Sequence, residues 1–319
     1  MMLKKLAAVV LAAALLFMAG CMGGGPKTGS ANLPDINPNA GAANKATARV
    51  ALYFSYNREE LLAAETATVN VPVSEPLEAA VVRALISGPS VNRTELYRLF
   101  WDGVELVGVD SNADILFVTL SEEFVSTAPE KVALEEGTVE DQKRLAICSV
   151  VNTIVEMGTY SRVQIYIDRQ DAGAAQRITR REAGWQDNGD DRLDPLGRMS
   201  ELILTPQNTL IEALESFEKK NWGRLYNFIA YTNPDGTVKP DTETFAEVLD
   251  KGNVLESFSV TDSSVSSDGQ EATVMLNYSI KTREGETLSR PNIPVKLVRE
   301  EDIWKLTYTS LVKVLVNAG

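Results

Sequence analysis

The sequence of 319 residues contains no histidine and only two cysteines, Cys21 and Cys148. Without imidazole, Ser-His-Asp and Cys-His catalysis are excluded, as are zinc sites that depend on histidine. Two cysteines are too few for a disulfide framework, a four-thiolate zinc site or an iron-sulfur cluster. Positive charge is also short, with 31 Lys plus Arg against 44 Asp plus Glu and a formal net charge of -13. Such a chain repels phosphate backbones, and its one short basic stretch runs from Arg177 to Arg181, so nucleic acid is not expected as a partner. Carboxylate, lysine and tyrosine chemistry survive these absences, and so do metal sites made of oxygen ligands. With 44% hydrophobic and 24% charged residues the chain can bury ordinary cores, and at roughly 150 residues per domain its length suggests two.

What is present begins at the amino terminus. Met1 to Cys21 reads MMLKKLAAVVLAAALLFMAGC, with Lys4 and Lys5, an apolar run from Leu6 to Phe17, and small Ala19 and Gly20 before Cys21. A basic start, an apolar stretch and small residues at the cleavage point make a secretory signal. The run is shorter than the roughly 20 residues that span a bilayer. Met18-Ala19-Gly20-Cys21 resembles the bacterial lipobox, although that pattern prefers Leu where Met18 stands. Residues 1–21 are expected to be the lipoprotein signal peptide with its lipobox, and the resemblance implies lipidation of Cys21 followed by cleavage ahead of it, which leaves Cys21 as the first residue of the mature chain. The expected location is the extracytoplasmic face of the cell membrane, held by lipid at roughly 0.8 kcal/mol per buried methylene. Charge does not hold it there, because an acidic body is repelled by anionic headgroups. Residues 22–47 are rich in Gly, Pro, Asn, Ala, Ser and Thr without apolar periodicity, and are expected to be a flexible tether.

Residues 48–169 form the first expected domain. Arg49 to Tyr56 and Thr68 to Val73 have strand composition, the second at an edge because of Pro72. Ser74-Glu75-Pro76 predicts a helix start and Gly88-Pro89 its end. Val104 to Val109 and Ile115 to Leu120 read as a hairpin turning at Asp110 to Asp114. A helix from Val139 to Met157 and a strand from Arg162 to Asp168 follow. Strands and helices mixed in this order give an α+β sandwich with helices on one sheet face. The Leu52-Tyr53-Phe54 strand, Leu85-Ile86-Ser87-Gly88-Pro89, the strand ending Ser121-Glu122-Glu123-Phe124, and Val151-Asn152-Thr153-Ile154-Val155 leading into Val163 to Asp168 resemble the sporulation and germination GerMN domain. That resemblance implies an envelope lipoprotein without established catalytic residues, similar to ring-building motifs of sporulation channels. One copy is found here, where the most familiar member has two.

Residues 170–204 are polar and are expected to be a linker. Asp187, Asp190, Asp191 and Asp194 invite a calcium reading, but Gly189 falls at the third EF-hand position and no glutamate stands at the twelfth, so a solvated acidic turn is preferred. Residues 205–319 form the second expected domain. Thr209-Leu210-Ile211-Glu212 matches a capping box opening a helix that runs on to Ile229, and a shorter helix lies near Thr242 to Asp250. Four strand-like runs form a meander: Leu255 to Thr261, Ala272 to Ile280, Ile293 to Arg299 and Ile303 to Tyr308. Phe217 to Trp222, Gln270 to Val274 and Ile303 to Tyr308 resemble the NTF2-like superfamily, which implies a cone of curved antiparallel sheet with amino-terminal helices.

That superfamily contains enzymes and plain binding modules, so its fold names no activity. Tyr226, Tyr278 and Tyr308 are candidates to line a ligand cavity, with core packing the preferred role. Phe100 and Trp101 are a candidate contact loop, with packing beneath the loop preferred. Cys148 reads as a buried, inert thiol. No residue is assigned a catalytic role and no cofactor is expected. The functional expectation is a lipid-anchored, non-catalytic binding or assembly module of the cell envelope, linked to sporulation or germination, whose partners are envelope proteins or peptidoglycan. The alternatives are a ligand carrier or enzyme using the second domain's cavity, and a ring-forming channel subunit, since oligomers are open to it.

Overall fold

The computed structural model describes residues 46–169, 172–185 and 190–316. Cys21, residues 22–45 of the expected tether and Asp187 lie outside the described residues, while the last two tether residues, Ala46 and Thr47, begin the first strand. β1 (Ala46–Tyr56) and β2 (Leu62–Val71) form an antiparallel hairpin in unbroken register. The sequence predicts β2 only from Thr68, because Leu62 to Ala67 is rich in alanine. The ladder to β1 extends the strand there, an instance of context overriding weak propensity. α1 (Leu77–Ser87) ends at Gly88, whose φ of 98° brings its N–H back to the carbonyls of Ala84 and Leu85. β3 (Leu96–Tyr97) adds to β1 only at Ser55 and Tyr56.

A second sheet has the order β4 (Leu106–Asn112), β5 (Ile115–Ser121), β6 (Arg162–Asp168), β7 (Gln176–Arg177). β4 and β5 are antiparallel and continue through the expected five-residue connection, leaving Ala113 and Asp114 as the turn, with Ala113 at φ 53°. After β5 comes the single turn α2 (Glu123–Ser126), and then α3 (Val139–Glu156) crosses over to β6, which pairs parallel with β5. α3 opens with a capping box in which Thr138 and Asp141 bond each other's backbone N–H, and it buries Leu145 to Ile154. Both α1 and α3 pack on β1, which is why Leu52 to Tyr56 is buried on both faces.

The segment expected as a linker carries β7 and buries Ile178, Ala183 and Leu193. Leu196 bridges to Val163, and Ile203 to Leu62.

Beyond it lie α4 (Pro206–Glu218), α5 (Trp222–Asn227) and α6 (Thr242–Asp250). The capping box expected at Thr209 is a correction. Thr205 is the N-cap, accepting from the Asn208 N–H, Pro206 occupies the first helical turn, and Thr209 is fully buried inside the helix with its hydroxyl unpartnered among the described residues. The continuous helix expected to Ile229 breaks where Lys220 turns left-handed at φ 53°, and Asn221 caps the next helix through the Arg224 N–H. The meander follows in the order β11-β10-β9-β8: β8 (Val254–Val265), β9 (Glu271–Lys281), β10 (Thr287–Glu300) and β11 (Ile303–Leu306). Ala272, Val274, Leu276, Tyr278 and Ile280 alternate into the core, and register shifts in β8 and β10 bend the sheet. Tyr308, expected in the last strand, instead begins α7 (Tyr308–Leu315), because the Thr307 hydroxyl caps the Ser310 N–H. Buried apolar residues of both halves belong to one cluster.

Candidate functional site

A cleft of about 650 Å³ lies where the β1–β2 turn meets α4 and α5. The turn has no glycine, yet Asn57 and Arg58 are both left-handed, at φ 47° and 62°. Asparagine tolerates this region, whereas each left-handed arginine costs on the order of 1 kcal/mol. The conformation is held by bonding: the Arg58 side chain donates to the Ala133 and Val132 carbonyls at 3.0 and 3.1 Å, and its carbonyl accepts from the Glu135 N–H at 2.8 Å. Next to it, Glu59 accepts from Arg224 at 2.6 and 2.9 Å. Arg224 also reaches Glu212 at 2.5 Å and the Ser216 hydroxyl at 2.8 Å, and its guanidinium stacks 5.1 Å from the Phe228 ring. Burial pushes the Glu59 carboxyl above its ordinary range, and Arg224 partly offsets that. Glu135 and Glu136 line the same cleft, exposed and without an ion pair among the described residues.

Behind the cleft sits a buried polar node. The fully buried Tyr56 donates its hydroxyl hydrogen to the Asn227 carbonyl at 2.6 Å, and the Lys305 ammonium donates to the Tyr56 hydroxyl and, at 2.5 Å, to the same carbonyl. Lys239 donates to the Tyr226 and Ile229 carbonyls at 2.9 and 2.8 Å. Two ammonium groups thus satisfy carbonyls at the end of α5, where the helix leaves acceptors without partners. Neither has a carboxylate in an ion pair among the described residues, and burial pushes both down to about 8. Burial drives the Tyr56 phenol well above its ordinary value. The halves are further joined by the β10–β11 turn, where Glu301 and Asp302 are left-handed. Asp302 accepts from the Thr66 N–H at 2.8 Å, and the Glu301 carbonyl accepts from Arg93 at 2.6 Å. Together these bonds fix one half to the other.

The expected site residues are dispersed. Tyr226 and Tyr308 meet across Phe245, with ring centroids 5.2 and 5.9 Å from it. The Tyr226 hydroxyl donates to the Pro240 carbonyl at 3.0 Å, and Lys239 lies 3.7 Å from its ring. Tyr278 is on the inner face of β9 between Phe258 and Arg290, outside that ring cluster. Phe100 and Trp101 are buried around Phe124, the Trp101 indole N–H donates to the Thr127 hydroxyl at 3.0 Å, and both residues line a cleft of about 310 Å³. Asp190, Asp191 and Asp194 are exposed, Asp194 pairs with Arg177 at 3.1 Å, and no group suited to holding a metal occurs among the described residues. Cys148 is buried, its sulfur 3.4 Å from that of Met199, and burial pushes the thiol up to about 12.

Sequence reasoning passed over Glu59, Arg224, Lys239 and Lys305. The available signals were a hairpin turn without glycine at Asn57-Arg58 and a lysine inside the apolar strand Ile303-Trp304-Lys305-Leu306.

Residues 51–172 match the family model described as Germane, sporulation and spore germination. The match covers less than half of the chain and lies in its amino-terminal part. Among solved structures, the chain resembles the tandem GerMN domains of the sporulation protein GerM from Bacillus subtilis at 17% identity and a TM-score of 0.34, covering 50% of this chain and 48% of that one. It therefore spans about half the length of that relative. A protein from Clostridium perfringens described as a lipoprotein matches at 18% identity and a TM-score of 0.27, over 49% of this chain and 89% of that one. The intermembrane space region of the chloroplast protein ARC6 matches at 20% identity and a TM-score of 0.17, over 32% and 92%. No curated protein matches the chain. Among the described residues no helix is long and apolar enough to cross a membrane.

Proposed function

We propose that the protein is a lipid-anchored, extracytoplasmic and non-catalytic binding module of the bacterial cell envelope, acting in sporulation or germination. The observation that carries this reading is the Germane match over residues 51–172. A lipobox ahead of that domain supports anchoring through Cys21, and the helices and curled meander of residues 205–319 support an NTF2-like second module. The Glu59, Arg224 and Glu212 side chains of the cleft at the β1–β2 turn are committed to one another, as suits a scaffold that presents surfaces. Fractionation of cells making the wild type and Cys21→Ser tests the anchor: the wild type is expected in the membrane fraction and the variant in soluble extracytoplasmic material. Equal partition of both would refute lipidation. Crosslinking in membranes of sporulating cells tests the role, and recovery of neither envelope protein nor wall fragment would count against it.

A further inference from the structure

For most of its length β1 is paired along one edge only. The ladder to β2 is continuous from Ala46 to Ser55, whereas β3 reaches only Ser55 and Tyr56 on the other side. Backbone groups in a strand alternate in direction, so the bonds that are made reveal where the remaining ones point. Tyr56 donates to Leu61 on the β2 side at 2.8 Å, and Asn57 donates to Glu95 on the opposite side at 2.8 Å. Tyr53 shares the direction of Asn57: its N–H donates to the Thr153 hydroxyl at 3.1 Å, and its carbonyl accepts from the Ser149 hydroxyl at 2.5 Å. The odd-numbered residues therefore face away from β2, and the next along the strand are Ala51, Arg49 and Thr47. Their outward N–H and C=O groups meet no partner among the described residues.

Beside this edge lies an open cleft of about 360 Å³ between β1 and the end of α3, walled by Leu77, Thr153 and Met157. The edge has neither proline nor bulge, the usual devices that blunt a free strand, whereas the free edge strand β8 is irregular at two places. Arg49 is exposed and lacks an ion pair among the described residues, and Glu156, the carboxylate in the cleft, is held by Arg198. One positive charge on a protein of net charge -13 is left without a counterpart at this edge.

We propose that the outer edge of β1 docks an extended segment of another envelope protein by strand addition, with a carboxylate of that segment set against Arg49. Main-chain bonds to Thr47, Arg49 and Ala51 would supply affinity, and the carboxylate the register. A second copy of this chain fits less well, since two strongly acidic bodies would be brought together and symmetric pairing sets the Arg49 side chains near each other. The inference rests on the reading of the protein as a binding module and goes further by naming the surface and the chemistry of its partner.

The test uses the full chain in lipid nanodiscs and a displayed library of linear nonapeptides. Selected peptides are expected to alternate β-branched or aromatic residues and to carry Asp or Glu at one fixed position. Arg49→Glu should weaken their binding by about ten-fold or more, a factor that one good polar contact supplies. Ala51→Pro should do the same, because it removes an N–H that points outward and leaves the β1–β2 ladder donors in place. Should Ala51→Pro fail to fold, Arg49→Glu with lysine-substituted peptides provides the charge-swap rescue. On saturation, amide exchange at Thr47, Arg49 and Ala51 should slow about ten-fold while Val50 and Leu52 stay unchanged. Failure to select peptides, binding kept by both variants, or a dimer of this chain abolished by Arg49→Glu would each overturn the proposal. In sporulating membranes, envelope crosslinks that survive both variants would overturn the edge assignment alone. Their absence from the wild type would overturn the binding role itself.

Discussion

Arg224 joins Glu59 of the amino-terminal half to Glu212 of the carboxy-terminal half, and all three side chains are about one-fifth exposed. Removing it leaves two carboxylates partly buried and unpaired, so Arg224→Met is expected to lower stability by about 1–3 kcal/mol in urea unfolding. Arg224→Lys should fall between the two, since an ammonium lacks the planar fork that serves both partners. A loss below about 0.5 kcal/mol for Arg224→Met would place the pair among exposed bridges of little worth. Lys239 and Lys305 give a pH signature. Their folded values near 8 lie below the ordinary 10.5, so below pH 8 both states are protonated and the burial penalty is fully present. Between pH 8 and 10.5 the unfolded chain holds more protons, and stability rises with pH. Tyr56 is shifted the other way: its contribution is intact below pH 10 and is lost above it. The urea midpoint should therefore climb from pH 8 to about pH 10 and then turn down, with a smaller climb in Lys305→Met. A flat midpoint across that window would contradict the buried ammonium groups.

At the scale of elements, the two threonines at the head of α4 make opposite predictions. Thr205 caps the helix, so Thr205→Ala should cost about 1 kcal/mol. Thr209 buries a hydroxyl without a partner, so Thr209→Val, close in shape, should be neutral or stabilise by about 1 kcal/mol in the same assay. If Thr209 were the cap, that change would destabilise instead. The pair also shows what the sequence makes legible. Threonine followed three residues later by glutamate satisfies the capping-box pattern at Thr209, but Pro206 shifts the true start four residues earlier because proline suits the first turn. Period-2 alternation identified β9, and the apolar strand Val163-Ile165-Ile167 identified β6, because burial on a regular period leaves a trace in composition. The left-handed Lys220 and the early part of β2 left none, since local composition marks neither a non-glycine left-handed residue nor a strand that its ladder to β1 imposes. The junction was hidden for the same reason: Tyr56, Asn227 and Lys305 converge only after the chain has folded.

At the scale of the molecule, the described residues from 46 to 316 form one compact unit, although their sequence reads as two domains and a linker. Tyr56 on Asn227, Thr66 on Asp302 and Arg93 on Glu301 cross between the halves, and the apolar core is continuous. Calorimetry should therefore show a single transition with calorimetric and van't Hoff enthalpies in agreement, and two resolved transitions would refute this coupling. A fragment ending near Leu204 would leave Tyr56 without its acceptor and Arg224 absent from Glu59, and it should melt well below the full chain. The Lys305 node has one more consequence. Its ammonium is occupied by the Asn227 carbonyl and the Tyr56 hydroxyl and shielded from reagents while the halves stay together. Its rate of acylation by a small ester reagent becomes a clock for breathing between the halves, readable by mass spectrometry.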